Sequence, residues 1–425
     1  DQDIRAIAEK LNVRTVLEGS VQSDGSHLHI EASLVNAADG YQLWSQSYDR
    51  SLSDILAVQS DIALAIAKAL APALTGAPAK SRVPHPVQID PAVYRDYLQA
   101  QFYFDQRLSE GQTPTSQDAL NRAVTLFRKV AEAAPDFADG QASFADALYT
   151  VEHGTELDDQ IHHALERALT IDPENPQALV VSIEIAGDRW DWDSVIRNAV
   201  ILKRTASRTA IGAQGLANAS FYFNLLEAVG YAREWARLDP FSYAAWGSVT
   251  NAYFADARFE DAIAAANEAL ALHPDDPVTK QYQCVSLASL NRIREAKAVL
   301  GALSKSGIPV PLQTHCKFFI LLHSAGPKAA IAFVDNVLSR DPADAGGPGD
   351  VGFMLSHTAA LDQAMDWYER ALTPEHWVFE FYPGKTAPQT FLDNPRWIAL
   401  TKRPEYQRWL AARERAKLEL SDSYP

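Results

Sequence analysis

The chain has 425 residues, 47% hydrophobic and 22% charged, with a formal net charge of −16. That length exceeds one ordinary domain, and the composition is that of folded protein, which excludes wholesale disorder. Residues 1–90 hold eleven acidic and seven basic side chains, so the acidity is spread in proportion to length; such a surface repels phosphate backbones, and direct nucleic-acid binding by this chain is not expected.

Residues 1–70 read as a small α/β unit. "DIRAIAEKLN" has an amphipathic helical pattern, and three strands follow within residues 13–48. In "HLHIEASL" the residues Leu28, Ile30, Ala32 and Leu34 take one face and His27, His29, Glu31 and Ser33 the other, the period of a half-buried strand. "SDGS" and "ADG" supply antiparallel turns. Ser53 reads as the N-cap of a helix to Leu70 that buries Ile55, Val58, Ile62 and Ile66. Residues 71–90, with four prolines and little apolar periodicity, read as a linker or strap.

From residue 91 helix follows helix. Helix-ending prolines stand at Pro135, Pro173, Pro240, Pro274 and Pro342, at intervals of 38, 67, 34 and 68, the longer two being about double the shorter. A period of 34 is that of tetratricopeptide repeats. The clearest copy is "YAAWGSVTNAYFADARFEDAIAAANEALALHP". There Trp246, Val249 and Tyr253 occupy the large positions of a first helix, Ala262 and Ala269 the places where two helices touch, and Pro274 the end. Looser copies contribute Ala123, Phe127, Leu165, Ala168, Ala330, Ala364, Tyr368 and Ala371. Seven or eight repeats are expected between residues 91 and 376, with a helical cap over 377–425.

Motifs of chemistry are sparse. "GPGDVG" (Gly347 to Gly352) matches a dinucleotide fingerprint, but a helical pattern stands where a strand is required, so the segment reads as an inter-repeat loop. "YPGKT" lacks the first glycine of a phosphate loop. His162 and His163 diverge by about 100° on a helix, and His27 with His29 lacks a third ligand in sequence. The acidic residues fall at helix-surface spacings. In "WDWD", Trp192 and Trp190 are expected to pack among helices. Cys284 and Cys316 cannot form a disulfide framework; two buried thiols are the expectation, with a single disulfide the alternative. No enzyme activity, cofactor or metal is expected, and no apolar run is long enough to span a membrane. The chain lacks an initial Met and a signal peptide and reads as part of a larger or processed protein.

The segment "VRTVLEGSVQSDGSHLHIEASLVNAADGYQLWSQSYDRSLSDILAVQSDIALAIAKAL" resembles the TolB-amino-terminal-like domain that precedes tetratricopeptide repeats in bacterial regulators. "YRDYLQAQFYF", "WDWDSVIRNAV" and "LDNPRWIALTKRPEYQRWLA" resemble further parts of that arrangement. The resemblance implies an effector domain ahead of this region, a class III adenylate cyclase or a winged-helix transcription regulator. It places the region in the cytoplasm, or in the periplasm if a membrane span precedes it. It also implies a strand-helix-strand segment ahead of the "DIRAIAEKLNV" helix; the chain starts after it, which leaves a sheet edge through which the front unit can pair in a homodimer.

The expected fold is therefore mainly α, a tetratricopeptide-repeat superhelix preceded by a small α/β unit with a three-stranded antiparallel sheet. The expected function is regulatory: a protein or peptide partner lies in the repeat groove, held by Asn251, Phe254 and Gln281. The alternative is a small-molecule sensor with its ligand enclosed near "FYFN" (Phe221–Asn224).

Overall fold

A computed structural model describes residues 8, 13–23, 27–51, 62, 65, 89–109, 114–151, 155–225, 227–304, 309–371 and 386–421. The two helices expected around the sheet, the proline-rich stretch and "YPGKT" lie largely outside the described residues.

The sheet has strands β1 (Thr15–Ser23), β2 (His27–Asn36) and β3 (Gln42–Ser51), antiparallel in the order β1-β2-β3. Leu17 pairs with Leu34, and Ile30 lies between Val21 and Tyr48. Leu28, Ala32 and Leu34 are buried while His27, His29 and Glu31 are exposed, as the alternation requires. A bulge between Leu34 and Val35 breaks that alternation, and Val35 is buried beside Leu34. In the β2–β3 turn Gly40 has φ +72°, and the Asp39 carboxylate accepts from the Tyr41 N–H.

Eight helical hairpins follow among the described residues. They are α1 (Pro91–Ser109) with α2 (Pro114–Ala133), α3 (Ala138–Thr150) with α4 (Thr155–Ile171), α5 (Pro176–Asp188) with α6 (Trp192–Ala206), and α7 (Ala210–Tyr222) with α8 (Glu227–Leu238). Next come α9 (Tyr243–Ala255) with α10 (Phe259–Leu272), α11 (Pro277–Ser289) with α12 (Ile293–Leu303), α13 (Val310–Ala325) with α14 (Pro327–Arg340), and α15 (Pro348–Ser356) with α16 (Leu361–Ala371). From α5 to α13 successive first helices start 33 or 34 residues apart, and each of the five marker prolines stands two residues after a second helix.

Three local devices repeat with that period. Side-chain caps open first helices: Asn175, Thr209, Ser242 and Asp276 accept from the N–H groups of Ala178, Gly212, Ala245 and Thr279. Within hairpins, Trp190, Asn224, Ala257 and Asn291 adopt φ of 59°, 47°, 58° and 61°. The next N–H then reaches back across the turn, as from Asp191 to the Ala186 carbonyl at 2.8 Å and from Arg258 to Tyr253 at 2.9 Å, satisfying carbonyls that the helix end leaves open. In the second helices Ala228, Ala262, Ala296, Ala330 and Ala364 recur every 34 residues, at 5% exposure for the first and 0% for the rest. At that column only a methyl group separates helix from helix, so the hairpins stack closely.

One apolar core runs from Leu179 to Leu420, with a smaller one from Ala100 to Val181. Trp192 lies in the larger core with its ring 5.7 Å from Phe223, and Trp190 packs against it. After α16 come α17 (Gln389–Leu392), α18 (Pro395–Leu400) and α19 (Pro404–Leu420). Rings of Tyr368, Phe391 and Trp397 stack α16 onto α17 and α18. Helix α19 then returns to the middle of the array. Trp409 Nε1 donates to the Tyr222 carbonyl at 3.0 Å, Arg413 Nε to Phe223 at 3.0 Å, and Tyr231 Oη to Leu420 at 2.9 Å. Arg415 pairs with Asp193.

Two expectations are corrected. Cys284 of α11 and Cys316 of α13 are joined in a disulfide, with Cα atoms 5.6 Å apart, rather than standing as separate thiols; stacking two first helices brings positions 32 residues apart into bonding range. "GPGDVG" is not a loop: Gly347 precedes the helix and Pro348 begins α15, with the Asp350 carboxylate accepting from the Gly347 N–H at 2.9 Å. Before it stands a short 3-10 turn (Pro342–Ala345), not the strand of a dinucleotide fold.

Candidate functional site

In stacked helical hairpins the first helices line the concave side. Here they are joined to one another by side-chain hydrogen bonds along that side. Gln101 Nε2 of α1 donates to Ser143 Oγ of α3 at 3.0 Å, Gln177 Nε2 of α5 to Asp146 Oδ2 of α3 at 2.6 Å, and Asn218 Nδ2 of α7 to Glu184 Oε1 of α5 at 2.8 Å. Tyr149 Oη donates to Asp188 Oδ2 at 2.7 Å. Further on, Gln281 Nε2 lies 2.9 Å from His315 Nδ1, and His315 Nε2 lies 3.4 Å from Asp350 Oδ1.

Two pockets meet at α9. The first, of about 370 Å³, is lined by Gln214, Asn218, Phe221, Ser248, Asn251 and Tyr282 among others. Its amides and hydroxyls present both donors and acceptors, the chemistry that pairs with peptide backbone. The second, of about 170 Å³, takes its walls from Phe254, Val285, Phe319, His323, Phe353 and His357, with Thr386. Tyr282 stands between them, its ring 5.1 Å from Phe254, and burial together with the Asp350 charge pushes its phenol up to about 12. Burial also lowers the His323 and His357 imidazoles below their ordinary value. His357 is clamped by the rings of Phe319 and Phe353 at 5.2 and 4.8 Å, and its Nδ1 sits 2.9 Å from the Phe353 carbonyl. Both imidazoles are thus neutral at neutral pH, and the pocket is apolar.

Toward the N-terminal end the field is negative. The Tyr149 phenol is raised well above its usual range by burial first and then by Asp188 and Glu184, and Tyr222 is raised by burial followed by the same two charges. A third pocket, of about 230 Å³, lies where α19 meets α7 to α9, between Phe221, Asn224, Asp256, Arg413 and Lys417.

Of the three residues singled out in the sequence, Asn251 lines the amide pocket and Phe254 the apolar one, a single turn apart on α9. Gln281 lines neither; its amide faces His315 of the next repeat. Asn218, Phe319 and Phe353 escaped notice. The period itself finds them: stepping from Asn251 by 33 or 34 residues reaches Asn218, Val285, Phe319 and Phe353.

No family model matches the sequence. Over 92 residues, 22% of this chain, it is 38% identical to a Rhizobium meliloti (strain 1021) protein named "Putative adenylate cyclase 3". The match spans 16% of that relative's length. Among solved structures, Pseudomonas aeruginosa PilF is similar at 13% identity and a TM-score of 0.32, over 59% of this chain and 96% of that one. The human IFIT1 dimer with PPP-AAAA gives 14% and 0.40, over 64% and 77%. Yeast Tom70 gives 12% and 0.37, over 80% and 66%.

Proposed function

We propose that this chain is the non-catalytic, peptide-binding regulatory region of a bacterial signalling protein. The observation that carries this reading is the pair of pockets on either side of Tyr282, one amide-lined and one apolar, both fed by α9. An extended segment would lay its backbone against Asn218 and Asn251 and insert a side chain beside Phe254, while Gln281 orients His315. The two pockets differ in size, about 370 Å³ for the amide-lined one and about 170 Å³ for the apolar one, which suits a backbone laid in the first and a single side chain in the second.

The signalling context rests on the partial likeness to a cyclase-named protein and on the resemblance of residues 13–70 to a TolB-like front unit. On this reading residues 1–70 join an effector to the array of residues 91–376 through the proline-rich stretch 71–90, and residues 377–425 cap it. The test is calorimetry with the segment of the co-purifying partner that protects the groove. Asn251→Ala combined with Phe254→Ala should weaken binding at least about tenfold, as truncation of a buried anchor does; unchanged affinity would reject the groove.

A second reading, a small-molecule sensor, has one observation in its favour. The pocket at Phe221 and Asn224 gathers Asp256, Arg413 and Lys417 where α19 closes over the array. Native mass spectrometry that finds a stoichiometric metabolite, released by Arg413→Ala, would support it.

A further inference from the structure

We propose that the groove selects a cationic segment with an apolar anchor: a Lys or Arg placed toward Glu184 and Asp188, and one aromatic or branched aliphatic side chain in the Phe254 pocket. This rests on the groove reading above and adds the chemistry of the partner. The first observation is a partition of charge between the two layers of helices. The first helices α3, α5, α7, α9 and α15 contain no Lys or Arg at all. Of the other first helices, α1 carries Arg95 and Arg107 at the start of the array, Lys280 of α11 is buried and paired with Asp275, and Lys317 of α13 lies over the Phe333 ring at 4.8 Å. The second helices hold the cations, among them Arg122, Arg128 and Lys129 on α2 and Arg197, Lys203 and Arg204 on α6. The first helices of the middle of the array, α3 to α9, are thus without Lys or Arg while second helices such as α2 and α6 carry both.

The second observation is the built character of the groove. Asp146, Glu184 and Asp188 are each oriented by a donor on a neighbouring first helix, namely Gln177, Asn218 and Tyr149. Carboxylates fixed on a low-dielectric concave wall focus their field along it. A guanidinium or ammonium passing there gains charge-assisted hydrogen bonds. An acidic segment, or a phosphate chain, meets like charge along α3 and α5, helices that contain no Lys or Arg, which acts as rejection of the wrong partner. The third observation is the apolar pocket, whose Phe254, Phe319 and Phe353 rings and neutral imidazoles leave room for one side chain and offer no charge. A segment that is only basic leaves this pocket unfilled; one that is only apolar forgoes the carboxylates.

The experiment uses fluorescence polarisation of the whole chain with three labelled peptides: (Ser-Lys-Ser-Phe) repeated three times, the same with Glu for Lys, and the same with Ser for Phe. The first should bind; the other two should bind at least about tenfold more weakly, and added salt should weaken the first. Glu184→Gln with Asp188→Asn should cost the first peptide about tenfold, with Asp146→Asn as a second probe should that pair fail to fold. Glu268→Gln on the outer surface of α10 should leave binding unchanged. Equal binding of the Glu peptide, or no binding of the Lys peptide, overturns the proposal. Full affinity in the Glu184/Asp188 variant together with loss in the Asn251/Phe254 variant removes the charge assignment and keeps the groove. Full affinity in the Asn251/Phe254 variant removes the groove itself.

Discussion

Ala257 shows what a single residue of this array is asked to do. It sits at φ 58° in a hairpin turn where Asn224 and Asn291 occupy the equivalent places. An alanine in that left-handed conformation costs about 1–2 kcal/mol, against roughly 0.5–1 kcal/mol of chain entropy for glycine. Ala257→Gly should therefore raise stability by up to about 1 kcal/mol, read as a higher urea midpoint. Ala262 shows the opposite constraint: it is fully buried where two helices touch, and Ala262→Phe should cost about 1–3 kcal/mol by overpacking. His357 adds a pH dependence. Its folded pKa lies below the ordinary 6.5, chiefly through burial, so the unfolded chain binds the proton more readily. Its contribution to stability is complete above pH 6.5 and is lost as pH falls below that toward the folded value. The urea midpoint should drop on acidification, and His357→Gln should shrink the drop. Such residue-scale facts are only partly legible in sequence. Ala262 announces itself by its spacing, but nothing local marks Ala257 as left-handed, since the turn is imposed by the hairpin on whichever residue stands there. Period and chemistry led to Asn251 and Phe254, which line the two pockets, and to Gln281, whose amide instead faces His315, 34 residues away.

At the scale of elements, period and polarity place the hairpins, because five of the second helices are followed by a proline two residues on and each close approach needs a small side chain. Helix α19 follows a different logic. Its residues show no repeat signature, and its partners lie on α6 to α8, so no window of sequence brings them together. It is nonetheless built into the core: Trp409 is 2% exposed and its indole N–H bonds the Tyr222 carbonyl. Trp409→Ala should cost about 3–5 kcal/mol, whereas Tyr231→Phe, which keeps the ring and loses the bond to Leu420, should cost about 1 kcal/mol. A large effect of both on α6 to α8 by hydrogen exchange, with α1 to α4 untouched, would map the contact.

The whole molecule is neither a simple stack nor a closed ring. A stack of repeats is stabilised by neighbours alone, but two links here add to that pattern. The Cys284–Cys316 disulfide ties adjacent repeats across 32 residues of chain. Closing a loop of that size constrains the unfolded state by about 3–4 kcal/mol, so a thiol reductant, or Cys284→Ser, should lower the urea midpoint of the α11–α14 region by that order. The other link is α19, whose bonds join residues 187 to 222 apart.

That second link sets an order in time. Hairpins of an array can form as soon as their residues leave the ribosome, because each needs only its predecessor. The edge of α6 to α8 that receives α19 is complete once residue 238 has emerged, yet its cover is made only with residues 404–420. For the interval needed to synthesise roughly 180 further residues, at about 5–20 residues per second, the place of Trp409 stands open to solvent and to other chains. Non-local closure of this kind is also slow in refolding, since its loop entropy is settled only at the end. A refolding experiment should accordingly show helix forming early by circular dichroism and Trp409 fluorescence changing late, and chains stalled before residue 404 should be the species that chaperones retain.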